Sequence, residues 1–101
     1  MVILYEEPDN GFVGIHFDKD LNAWIMHMDC KDWSLSTYKR YKKIWDSKIL
    51  PHLKEVGINE FYGLWETHKA LKFNIMFGVN PTGDIVETDD GMSQILTRRV
   101  I

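Results

Sequence analysis

The sequence predicts a small α+β domain in which a mixed β-sheet packs against two helices. Alternating apolar residues in the first third predict three strands joined by short turns. A four-residue apolar spacing in the middle predicts an amphipathic helix. A further strand follows that helix, and it must run parallel to an earlier strand because a helix separates them. With 101 residues, 45% of them hydrophobic, the chain is expected to be one domain over residues 1–101.

The first three strands are predicted as an antiparallel meander. The first covers residues 2–7 and stops at the turn signal Pro8-Asp9-Asn10-Gly11. The second covers 12–17. The third covers 23–29, where Trp24, Met26 and Met28 alternate with the residues of the other face. Such alternation is typical of strands that bury one face.

The central helix is the element that the spacing defines best. Asp32 or Ser34 can cap its start and Gly57 can end it. Pro51 lacks a backbone N–H, so we expect a kink or break near Ile49. The apolar stripe consists of Tyr38, Tyr41, Trp45, Ile49, Leu53 and Val56.

The last third is predicted as a strand, a shorter helix and a hairpin. The strand covers residues 60–65, and the helix runs from Glu66 or Thr67 to Phe77, before Gly78. Strands 84–87 and 94–100 flank an Asp-Gly turn signal. The predicted order is therefore β-β-β-α-β-α-β-β.

One helical segment resembles a known family. Ala70-Leu71-Lys72-Phe73-Asn74-Ile75-Met76-Phe77-Gly78-Val79 is similar to the fourth helix of the GNAT acetyltransferases, which often reads Ala-x-x-Phe-Tyr-x-x-x-Gly-Phe. With the element order, this resemblance implies a truncated GNAT-like fold over residues 2–100, lacking the usual first strand and first two helices. In style the chain is also similar to small uncharacterised GNAT-like proteins encoded by bacteriophages.

The resemblance also implies where the cofactor would bind, and the residues there do not suit it. The family holds pyrophosphate with a glycine-containing loop before the central helix, whereas the matching loop here has no glycine. Asn74 stands where the family has a tyrosine that can act as a general acid. We therefore expect no catalytic residue and no cofactor, although a minimal acetyl-CoA-dependent N-acyltransferase is the alternative. The vestigial loop residues are Lys31, Asp32, Trp33, Ser34 and Ser36.

Loss of the family's first helices would uncover one side of the sheet, and a large exposed apolar surface usually binds a partner. We therefore predict a phage-encoded, non-catalytic protein that binds another protein, as an inhibitor of a host system or a minor structural component, or binds itself as a homodimer. The candidate interface residues are Trp24, Met26, Met28, Trp33, Asp84, Glu87, Asp89 and Asp90.

Nucleic-acid binding is the third hypothesis. Residues 34–56 carry six basic and two acidic side chains, a net charge of +4, while the whole chain carries −3. Because the tyrosines there belong to the apolar stripe and the chain is acidic overall, a nucleic-acid partner is predicted to be unlikely. Two other kinds of site are possible: a metal bound by His16 and His27, or a nucleophilic Cys30 beside His27. The expectation is that these three are ordinary half-buried side chains without a chemical role.

Location is predicted from what the sequence lacks. There is one cysteine, no basic leader and no apolar run near the ~20 residues of a membrane span. We expect a cytoplasmic protein, in the host cytoplasm or a virion, without a membrane partner.

Overall fold

A computed structural model of the protein describes residues 1–65, 68–87 and 91–101. Within them lie six strands, three helices and one π-helical turn. The strands are β1 (Val2–Glu7), β2 (Gly11–Asp18), β3 (Ala23–Cys30), β4 (Glu60–Trp65), β5 (Asn80–Glu87) and β6 (Ser93–Val100). The helices are α1 (Leu35–Ile44), α2 (Leu50–Glu55) and α3 (His68–Met76), and the π-helical turn Trp45–Ile49 joins α1 to α2. We call residues 35–55 the helical segment.

The sheet is mixed, with the strand order β1-β2-β3-β4-β6-β5. The predicted meander is confirmed, since β1 with β2 and β2 with β3 pair antiparallel. The parallel pairing expected for the strand after the helix is also present, and it joins Ile25 of β3 to Tyr62 of β4. The helical segment supplies the crossover connection that parallel neighbours need.

The helical segment keeps one stripe buried over three steps of four residues. Tyr41, Trp45, Ile49 and Leu53 are each at most 3% exposed. In a regular α-helix, a step of four residues drifts by about 40° around the axis. The wider π turn removes part of this drift, and the N–H of Leu50 donates to the carbonyl of Trp45. Near Ile49 the structure therefore has a π turn within a continuous helical segment, and not the break that was considered from the sequence.

The ends of the helical segment follow their predicted caps. The Ser34 Oγ accepts a hydrogen bond from the Thr37 N–H at 3.3 Å, so Ser34 rather than Asp32 is the N-cap. Gly57 has a φ of 86°, a conformation that glycine adopts without strain, and ends the helix. The prediction that Val56 belongs to the buried apolar stripe is wrong. Val56 is 56% exposed, because the helix has ended at Glu55 and the chain turns away from the core.

The helical segment and α3 pack on the same face of the sheet. Tyr38, Trp45 and the preceding Trp33 all contact Phe77, which follows α3. Phe77 and Trp45 are completely buried in a core that the sheet completes with Val13, Ile15, Met26 and Phe61.

The opposite face of the sheet has no helix among the residues that the structure describes. Phe12, Tyr62 and Leu64 are half-buried there, and Ile25 is 2% exposed between its neighbours. A small α+β domain with a six-stranded mixed sheet and two helical elements is thus confirmed. No helix in the described part of the chain is long and apolar enough to cross a bilayer.

Candidate nucleic-acid interface

The basic side chains of the helical segment lie on the side that faces away from the core. Lys39 and Lys43 each precede a buried stripe residue, Tyr41 and Trp45, by two positions. Two residues rotate a helix by about 200°, so both lysines point almost directly away from the sheet. Lys48 and Lys54 are exposed as well; Lys48 precedes the buried Ile49 and Lys54 follows the buried Leu53, so each is rotated by about 100° from the stripe, at opposite edges of the outward side. We call Lys39, Lys43, Lys48 and Lys54 the lysine face.

The four cations of the lysine face have no acidic partner among the described residues. The neighbouring Lys42 does have one, since its Nζ lies 2.8 Å from both carboxylate oxygens of Asp46. An uncompensated cation on a solvated surface keeps its full attraction for an anion, because no internal salt bridge has to break first. The side chains of the lysine face are therefore available to pair with an anion.

Arg40, unlike the lysine face, has an acidic partner, which is Glu7 of β1. The Arg40 Nε donates to Glu7 Oε2 at 2.5 Å, and Nη2 donates to Oε1 at 2.8 Å. Tyr5 and Asn10 donate to the same carboxylate at 2.7 and 3.0 Å. The hydrogen bonds from Arg40, more than the opposing effect of burial, lower the pKa of Glu7 to about 2. This pair ties the first strand to the first helix.

The loop predicted to be a vestigial cofactor site is organised by contacts within the chain. The Asn10 carbonyl accepts from the Lys31 N–H at 2.8 Å, and its side-chain oxygen accepts from the Asp32 N–H at 3.1 Å. Trp33 stacks on Phe73 with ring centroids 4.7 Å apart. Ser34 caps α1, and its Oγ lies 3.1 Å from that of Ser36. The expectation that no cofactor binds here stays a prediction.

The six described residues among those predicted to form a protein interface do not lie together. Met26 is buried in the core, and Trp24 and Met28 are half-buried against it. Trp33 is likewise half-buried against the core, at the start of α1. Asp84 and Glu87 are exposed on β5, at the far edge of the sheet. Asp89 and Asp90 lie outside the described residues.

His16 and His27, on the face of the sheet opposite the helices, contact each other, as their positions on adjacent strands suggested. His27 Nε2 lies 2.7 Å from His16 Nδ1, and the rings stack with centroids 4.7 Å apart. Burial, with a smaller effect of His16, lowers the pKa of His27. In the described residues no group of three or more histidine, cysteine or acidic side chains is placed to hold a metal.

Cys30 lies on the helix side of β3, three residues from His27 and therefore on the other face of the strand. Burial raises the pKa of its thiol. A nucleophilic cysteine requires the thiolate form, which this environment disfavours. The pairing of Cys30 with His27 considered from the sequence is thus absent.

A cleft of about 370 Å³ opens between β3 and β4, beyond their paired position at Ile25 and Tyr62. Phe12, His27 and Leu64 are among its lining residues. Sequence reasoning missed this cleft, because the angle at which two strands diverge depends on packing between residues more than 30 positions apart.

Comparison with known families gives one match. Residues 17–62, which are 46 of the 101 residues, match the family described as phage integrase, N-terminal SAM-like domain. The matched residues include the end of β2, all of β3, the whole helical segment and the start of β4. No curated protein and no solved structure matches the chain significantly.

This match corrects the family and function predicted from the sequence. The GNAT resemblance depended on element order and on residues 70–79, which lie outside the matched region. Element order defines a fold class that unrelated families share, so it could not carry the assignment. A non-catalytic GNAT-like inhibitor or structural component, and the acetyltransferase alternative with it, are not supported.

The prediction that nucleic acid is an unlikely partner is wrong for a separate physical reason. It used the net charge of the whole chain, whereas nucleic acid is contacted by one surface only. Tyr41 is buried and Tyr38 half-buried, as expected, and their burial leaves the intervening cations exposed. The chain is similar to a phage integrase N-terminal domain over the segment that carries its lysine face.

Proposed function

We propose that this chain is a DNA-contacting domain with a role like that of the N-terminal domain of phage integrases. The lysine face binds the phosphates of duplex DNA. The observation that carries the proposal is the coincidence of two features: Lys39, Lys43, Lys48 and Lys54 have no acidic partner among the described residues, and the integrase match covers all four.

The sheet provides the rigid support that such a surface needs. Tyr41, Trp45 and Leu53 anchor the helical segment to the core, so the lysines project from a fixed helix and not from a loop. The ordering cost is thereby limited to the lysine side chains themselves.

The charge distribution favours a single orientation on DNA. Residues 34–56 carry a net +4, and the remaining residues together carry −7. DNA phosphates attract the positively charged residues 34–56 and repel the negatively charged remainder. The domain therefore approaches DNA with the helical segment facing it. The acidic remainder also makes the binding weak, and we expect a dissociation constant of about 10⁻⁴–10⁻⁶ M at physiological salt.

The test is the salt dependence of binding to a fluorescent duplex, measured by anisotropy. Four phosphate contacts give a slope of log K against log salt concentration of about −3.6. The double substitution Lys39→Gln, Lys43→Gln should bring the slope to about −1.8, because two phosphate contacts are lost.

The matched control is Lys19→Gln, Lys72→Gln, which makes the same change in net charge on exposed lysines outside the lysine face. Its slope should equal that of the unmodified protein. Equal losses in the two double variants would mean that only net charge matters, and undetectable binding at low salt would end the proposal. Circular dichroism of each variant establishes that the fold is unchanged.

A further inference from the structure

The residue types on the helical segment decide how it can recognise DNA. Side chains that discriminate bases in the major groove are chiefly arginine or lysine for guanine, and asparagine or glutamine for adenine; of the two cations, only arginine presents a fixed planar fork. Residues 35–55 contain no asparagine and no glutamine, and Arg40 is their only arginine. The remaining cations are lysines, which bind phosphate as point charges.

Glu7 occupies one two-donor edge of the one arginine, the edge formed by Nε and Nη2. Arginine reads guanine through two parallel N–H groups that meet O6 and N7. In Arg40, Nε and Nη2 donate to the two oxygens of Glu7, in the geometry that the guanine edge would otherwise receive. Release of Arg40 would leave the Glu7 carboxylate without its cation.

Glu7 is itself held, so it cannot easily turn away from Arg40. Tyr5 donates to one of its oxygens and Asn10 to the other. The Glu7 side chain is 17% exposed, whereas Arg40 is 47% exposed. The carboxylate is thus the fixed partner, and Arg40 is the mobile one that a competing ligand could reach.

Taking these contacts together, and resting on the proposed function, we infer that the lysine face binds duplex DNA of any sequence through its phosphates, because the only arginine of the helical segment is held by Glu7. Phosphate contacts fix position and orientation but carry no sequence information. Specific DNA-binding proteins prefer their sites by about 10³–10⁷-fold. For this domain we expect less than about tenfold difference among duplexes of equal length.

The first test is selection from a pool of duplexes with a randomised core, followed by sequencing of the bound fraction. The unmodified protein should enrich no motif, and defined G·C-rich and A·T-rich duplexes should bind within about tenfold of each other. Enrichment of a single motif by about 10³-fold, with binding still dependent on the lysine face, would overturn this inference and leave the proposed function standing.

The second test releases Arg40 by the substitution Glu7→Gln. The salt slope should become steeper by about 0.9, because one more cation reaches a phosphate. Guanine-rich duplexes should gain more affinity than A·T-rich ones. The charge-matched control is Glu6→Gln, on the adjacent exposed carboxylate, which has no ion pair among the described residues and should leave the slope unchanged. Equal effects of the two substitutions would show that Glu7 does not withhold Arg40.

Discussion

The Glu7–Arg40 pair predicts how the stability of the domain depends on acid. The pKa of Glu7 falls from 4.5 to about 2, mainly through its hydrogen bonds with Arg40. Because the folded-state pKa is lower than that of the unfolded chain, the pair stabilises the fold above pH 4.5. That contribution is lost as the pH falls through about 2. Acid should therefore weaken the attachment of β1 to α1.

The size of the effect follows from the same values. Each pKa unit corresponds to about 1.4 kcal/mol, so the lowering from 4.5 to about 2 corresponds to at most about 3.5 kcal/mol in the free energy of unfolding. Arg40 is 47% exposed, and solvent screens the pair. We expect the realised contribution to be about 1 kcal/mol at pH 7, the upper end of the range for exposed pairs, because the contact is bidentate.

Urea unfolding followed by circular dichroism between pH 7 and pH 2 measures this contribution. Glu7→Gln should lower the free energy of unfolding at pH 7 by about 1 kcal/mol, and its difference from the unmodified protein should shrink below pH 4.5. The reasoning is refuted if that difference stays constant over the whole pH range, or if Glu6→Gln shows the same pH dependence.

Two further predictions concern the core that supports the lysine face, and urea unfolding at pH 7 measures both. Trp45→Ala should cost about 3–5 kcal/mol, because the ring is completely buried between Phe61 and Phe77; a near-neutral result would contradict this packing. Gly63→Ala should cost about 1–3 kcal/mol, because its Cβ would lie 2.3 Å from Trp65 Nε1; an unchanged unfolding midpoint would show that the indole moves aside freely.

Local patterns were sufficient for most of the fold. The spacing of Tyr41, Trp45, Ile49 and Leu53 predicted both the helix and its buried side, since a helix must present one side to the core. Pro51 predicted a kink or break near Ile49, and the structure has a π turn there without a break in the helical segment. Val56 was assigned to the stripe in error, because the spacing continues past the residue at which the helix ends.

The candidate site was only half predictable. The cluster of cations was visible in the sequence. Its ability to bind nucleic acid was nevertheless rejected, because the net charge of the whole chain is negative. Which cations are free depends on partners distant in sequence: Arg40 and Glu7 are 33 residues apart, and only the packing of β1 beside α1 joins them. The pairing of Lys42 with Asp46, by contrast, follows from helical spacing.

The sequence by itself determined the elements, their order and the charge asymmetry, because each depends on residues that are neighbours along the chain. Tertiary structure alone decided that Glu7 binds Arg40, that β3 and β4 diverge into a cleft, and that both helical elements cover one face of the sheet. These features depend on how distant segments pack, and packing is decided by the whole set of side chains that must fill one core at once.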